Sequence, residues 1–154
     1  MNRVAINTFL SLLIVCSACN HVYREYDKEP FPTYRWPSGQ KIIFKPTISD
    51  VTKSYKLTVG IRHLYAVLQA DNIQITINAV SPSGKELTWN GRLQVKDPNN
   101  KYLSKCGGDY CDLETTVAAH VRFDEAGQYQ ITITHDVQQS IDGIMEVGLI
   151  IDED

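Results

Sequence analysis

Residues 71–80, DNIQITINAV, decide the fold class. Ile73, Ile75, Ile77 and Ala79 alternate with Gln74, Thr76 and Asn78. A period of two places the two sets on opposite faces of an extended strand, whereas a helix would scatter the isoleucines around its circumference. The reading is therefore a strand with one face buried and one wet.

The same period recurs on both sides of this stretch. Leu57, Val59 and Ile61 alternate before it. After it come Val117, Ala119, Val121 and Phe123, then Tyr129, Ile131 and Ile133, and finally Val147, Leu149 and Ile151. Turn-forming residues divide these runs: Asp71-Asn72, Pro82-Ser83-Gly84, Asn90-Gly91, Asp97-Pro98-Asn99-Asn100, Gly107-Gly108 and Glu125-Ala126-Gly127. Only Val137 to Ile141, VQQSI, has helix-like spacing, and it predicts a single turn before Gly143. The expected fold is all-β, an antiparallel β-sandwich of jelly-roll or immunoglobulin-like type with about 8 strands.

The N-terminus follows other rules. One basic residue, Arg3, precedes an apolar run from Val4 to Ala18, too short for a bilayer span, which needs roughly 20 residues. A short basic start, an apolar middle and small residues before a break is the layout of a secretory signal. Ser17 and Ala18 directly before Cys19 resemble a lipobox, which makes Cys19 the lipidation site and residues 1–18 a lipoprotein signal peptide. An ordinary cleaved signal and an uncleaved anchor are the alternatives. Cys16 occupies a lipobox position that usually holds an aliphatic residue, and a zinc or redox use of Cys16 and Cys19 lacks a polar setting and further ligands. Residues 19–38 contain Pro30, Pro32 and Pro37, and read as a lipidated tether leading to a domain over 39–154. Asn20 after the cysteine points to the outer membrane, and with no acidic cluster immediately after it the expected face is the periplasmic one rather than the cell surface.

Charge excludes one large class of partner. The chain has 15 Lys and Arg against 18 Asp and Glu, a net charge of −3, and no basic face of the kind a nucleic-acid binder needs. After the leader, two cysteines remain beyond Cys19: Cys106 and Cys111, in CGGDYC. In an oxidising compartment two nearby cysteines form a disulfide; a metal site would need more ligands than this segment offers.

Catalytic chemistry is hard to assemble from what is left. His21, His63, His120 and His135 share no metal-binding spacing and read as isolated surface histidines. The turn Ser81 to Gly84 lacks the nucleophile-elbow pattern. Asp109, Asp112 and Glu114 cluster near the double glycine, but match no calcium loop. No catalytic residue, metal site or cofactor is expected. Arg62 lies opposite Leu57, Val59 and Ile61, either as a solvated strand residue or as a candidate contact for a partner's carboxylate.

Several of these residues together resemble the gliding-motility lipoprotein GldH family of Bacteroidetes-type bacteria. The likeness runs from Cys19 through Tyr23, Tyr26 and Trp36, Phe44, Ile48 to Asp50, Tyr55 and Leu57. It continues with Ile61 to Tyr65, DNIQITI, SPSG, Phe123 to Ile131 and Asp142 to Ile151. Cys106, Cys111 and Cys16 depart from the pattern. The resemblance implies a non-enzymatic, membrane-anchored envelope lipoprotein, an accessory or scaffold of a gliding and secretion machine that binds envelope proteins. It carries over no ligand-binding residue, and any small-molecule ligand is unknown. The competing expectation is a sandwich that binds a glycan or other ligand, for which Trp89, Tyr102 and Tyr110 are the candidate aromatic platform, although Trp89 with Leu87 reads more simply as core.

Overall fold

The computed structural model describes residues 21–154; the expected leader and Cys19, the expected lipidation site, lie outside the described residues. In chain order the strands are β1 (His21–Asp27), β2 (Arg35–Trp36), β3 (Ile42–Phe44), β4 (Thr47–Ile48), β5 (Tyr55–Leu64), β6 (Asn72–Val80), β7 (Glu86–Gln94), β8 (Lys105–Gly107), β9 (Tyr110–Val121), β10 (Gly127–Gln128), β11 (Gln130–His135), β12 (Ile141–Asp142) and β13 (Ile144–Glu153). Among the described residues there is no helix. The all-β expectation is met. The strand number exceeds the expected count because six strands are two- or three-residue pieces, too short for a periodicity to register.

Alternation translates directly into layers. One sheet has the order β1-β13-β5-β9-β8 and the other β3-β11-β6-β7, every pairing antiparallel. Leu57, Val59, Ile61, Val147, Leu149 and Ile151 from the first face Ile73, Ile75, Ile77, Ile131 and Ile133 from the second across one core. Each fully buried branched side chain contributes roughly 1.5–3 kcal/mol relative to exposure. Two short pairs, β4 with β10 and β2 with β12, close the sandwich at its rim.

Three expectations are corrected. The tether over 19–38 is overturned for its described part. Residues 21–27 are β1, paired with β13 from His21 opposite Asp152 to Asp27 opposite Val147, and Phe31 and Trp36 are buried in the core. Pro30 and Pro32 sit in the turns between β1 and β2 and Pro37 just after β2, where a missing N–H costs no ladder bond. The helical turn over 137–141 is absent; residues 138–139 form a bend and Ile141 already belongs to β12. Ala119, expected inside, is exposed, because bulges shift the register of β9 between its pairings with Leu57 and Tyr55.

The two ends of the sandwich differ. His21, Asp152, Lys56 and the 49–54 and 81–85 turns lie at the end where β1 begins. At the opposite end lie Asp27, Leu64, Ile144 and Tyr110, with the segments 65–71 and 136–143.

Candidate functional site

That far end is assembled around Gly143. Leu64 N–H donates to the Gly143 carbonyl at 2.8 Å, and Gly143 N–H donates to the Tyr34 carbonyl at 2.7 Å. Gly143 has φ +90°, and a Cβ there would lie 2.9 Å from the Leu68 backbone nitrogen, so only glycine fits. Tyr34 and Ala66 also hold positive φ, 53° and 62°, which costs a side-chain-bearing residue roughly 1–2 kcal/mol. Of the eight exposed large hydrophobics among the described residues, six lie here: Tyr34, Tyr65, Val67, Leu103, Tyr110 and Val137. Six exposed apolar side chains from separate loops thus share one end of the sandwich.

The outer face of the five-stranded sheet adjoins it. Arg62 on β5 donates from Nε and Nη2 to the Asp112 carboxylate on β9 at 2.8 and 3.1 Å, and its Nη1 is 3.6 Å from Glu146 on β13. Its guanidinium also lies 4.8 Å from the Tyr110 ring centroid. The Asp112 hydrogen bonds push its pKa above the ordinary guanidinium value. Thus Arg62 is no bare cation. It binds two neighbouring strands and positions the exposed Tyr110 ring.

One turn of the pleat away, Tyr26 crosses the sheet. Its register partners are Gly148 on β13 and then Gly60 on β5, and its hydroxyl donates to Glu114 on β9 at 2.7 Å. A Cβ at either glycine would collide with the tyrosine ring, so the missing side chains form the groove in which the ring lies. Burial, then the Glu114 bond, push the phenol pKa up. Arg24 completes the row, donating to Glu114 at 2.5 Å. Arg24, Tyr26, Arg62, Asp112, Glu114 and Glu146 line a shallow depression of about 310 Å³.

Cys106 and Cys111 form a disulfide that joins this face to the aromatic end. They are register partners in β8 and β9, Cys111 buried and Cys106 exposed. The loop they close supplies Tyr110 to Arg62, and the Asp109 carbonyl accepts from Tyr65 N–H at 2.8 Å. Asp112 and Glu114, weighed as calcium ligands, are instead held by Arg62 and Arg24.

The histidine expectation is half overturned, since His63 and His135 are buried. His63 donates from Nδ1 to the Leu64 carbonyl at 3.2 Å and accepts at Nε2 from the Ser104 hydroxyl at 2.7 Å. Burial pushes its pKa down. A serine–histidine pair normally needs a carboxylate on the far nitrogen to act as a nucleophile–base couple; a carbonyl there simply satisfies a buried ring. His135 donates from Nε2 to the Trp36 and Pro37 carbonyls at 3.2 and 3.1 Å, beneath the core tryptophan. His21 and His120 stay near the surface, each against an aspartate.

The proposed glycan platform is not assembled. Trp89 is half-buried edge-on to Phe123, and the Tyr102 hydroxyl donates inward to the Leu68 carbonyl at 2.7 Å; of the three rings Tyr110 alone is exposed. Sequence reasoning found Arg62 and the cysteine pair, placed Tyr26, Tyr65 and Gly148 only among the residues of the family likeness without a structural role, and missed Gly60 and Val67. Gly60 and Gly148 carried a usable signal: a lone glycine inside a strand pattern marks a close approach by something else.

Comparison with known proteins adds independent findings. Residues 21–151 match the family described as GldH lipoprotein. The chain is similar to a protein named gliding motility lipoprotein GldH homolog from Christiangramia forsetii (strain DSM 17595 / CGMCC 1.15422 / KT0803). The two are 26% identical over 148 residues, covering 94% of this chain and 88% of that protein. Among solved structures it is similar to an arabinose-bound α-L-arabinofuranosidase, 10% identical with a TM-score of 0.40. That match covers 84% of this chain but only 22% of the enzyme chain, and nothing about ligand or activity follows from it.

Proposed function

This chain belongs to the GldH lipoprotein family, and from that premise we propose that it is a non-enzymatic, lipid-anchored envelope component that works by binding another protein. Lipidation falls on Cys19, behind Ser17-Ala18, with the anchor in the periplasmic leaflet of the outer membrane. Acyl chains of a bacterial lipoprotein anchor it without a membrane-spanning segment, each buried methylene contributing about 0.8 kcal/mol.

The observation that carries the reading is the gathering of six exposed apolar side chains at one end, braced by a disulfide and by strained turns. Strain of this kind persists only where surrounding structure holds it, and it gathers at functional sites. Aromatic rings beside a paired arginine also match the composition of binding hot spots. Arg62 contributes by fixing Tyr110 and Asp112 at the edge of that surface.

Site-specific photo-crosslinking in cells tests this. A crosslinker at Tyr65 should yield a discrete protein adduct, and one at Val51, at the other end, should not. Tyr65→Asp with Val67→Asp should lose the complex while the unfolding midpoint stays within a few degrees. Adducts from Val51 but none from Tyr65 would refute the assignment. Saturable binding of a defined polysaccharide that competes with labelling at Tyr65 would transfer the site to the glycan reading.

A further inference from the structure

Almost no chain separates the anchor from the folded domain. β1 begins at His21, so Asn20 alone stands between it and Cys19, and two residue steps reach at most about 7 Å. Nor is β1 a loose edge. Its Tyr26 lies over Gly60 and Gly148, Arg24 reaches across to Glu114 on β9, and His21 pairs with Asp152. On the inner side Tyr23 meets Phe44 edge-on at 6.5 Å. Releasing β1 as a tether would forfeit all of these contacts together.

Resting on the reading that Cys19 carries the acyl chains, we infer that the domain stands directly on the membrane. The end formed by residues 49–54, 119–124 and 152–154 lies against the lipid headgroups. The aromatic end is held farther out by the length of β13, ten residues, or about 30 Å at roughly 3.3 Å per residue. The chemistry of the two ends agrees. Of the eight exposed large hydrophobics among the described residues, Val51 alone is in the near group of turns. Around it lie two ion pairs, Lys53 with Glu153 at 2.6 Å and Lys85 with Asp124, and a contact of His120 with Asp154 at 2.6 Å. This end is polar with a modest acidic excess, Asp50, Asp124, Asp152, Glu153 and Asp154 against Lys53, Lys85 and Arg122, so it lacks the basic excess that draws a protein onto anionic lipid by itself. The acyl chains supply the attachment and the fold supplies the orientation. A partner therefore meets the aromatic end at a set height above the bilayer.

Depth-dependent quenching tests this. The full chain is expressed with its own leader, purified with its acyl group, and placed in phosphatidylethanolamine–phosphatidylglycerol vesicles bearing a headgroup-attached, short-range quencher. Cys106 and Cys111 are paired, so Val51→Cys or Val137→Cys adds the single reactive thiol for a dye. Quenching should be several-fold stronger at position 51 than at 137. Ten Gly and Ser residues inserted between Asn20 and His21 should erase the difference. Equal quenching at both positions without the insertion, or stronger quenching at 137, overturns the orientation while leaving acylation intact. Mass spectrometry that finds no acyl group on Cys19 sinks the anchoring reading and this inference with it.

Discussion

The groove that holds Tyr26 makes a prediction in which one substitution changes sign with its background. In the wild-type domain a Cβ at Gly148 would fall 2.6 Å from Cδ1 and Cε1 of Tyr26 and 2.8 Å from Cγ. Gly148→Ala must therefore displace the ring or bend the strand, an overpacking cost of about 1–3 kcal/mol. Without the ring the same change removes a flexible glycine from a strand, which stabilises by roughly 0.5–1 kcal/mol. Tyr26→Ala alone should cost about 2 kcal/mol, below the 3–5 of a fully buried aromatic because the ring is half-buried. The coupling between the two positions is then about 1.5–4 kcal/mol, far above the error of a double-mutant cycle. Urea unfolding of the domain from residue 20 onward, followed by fluorescence of buried Trp36, measures all four corners. If Gly148→Ala is equally neutral with and without Tyr26, the ring does not lie on that glycine. The reasoning that pins β1 to the sheet would fail with it.

Arg62→Glu sets a carboxylate against Asp112 and Glu146, and should lower stability by roughly 1–2 kcal/mol in the same assay; an unchanged midpoint would mean the ion pairs contribute nothing. Replacing Cys106 and Cys111 together by serine should cost about 2 kcal/mol by the chain-entropy relation for so short a loop, and reduction of the native protein should raise its intact mass by about 2 Da. His63 titrates below its ordinary value because it is buried, so the unfolded chain takes up the proton first as pH falls below 6.5. Stability is full above that pH and declines beneath it, and His63→Asn should flatten the slope of the unfolding midpoint between pH 7.5 and 5.5. A variant whose slope matches the wild type would assign that pH dependence to other groups.

The sequence by itself determined the chemistry of each face. Alternation from Leu57 to Ile61, Ile73 to Ala79 and Val147 to Ile151 identified the strands and their inward sides, because side-chain direction along a strand is a local property with a period of two. Cys106 and Cys111 were legible for the same reason, five residues apart across a double glycine. What pairs with what was decided only in three dimensions. The segment 21–27 looked like linker from its downstream prolines, and became a strand because β13, more than a hundred residues later, offered it an edge and two glycines to accept Tyr26. Arg62 looked free because its partners Asp112 and Glu146 come from two other strands. The aromatic end is the sum of separate loops, each contributing one or two exposed residues that look ordinary alone. Composition and period travel along the chain, whereas register, closure and the meeting of loops are long-range events, set when the two sheets bury their apolar faces against each other.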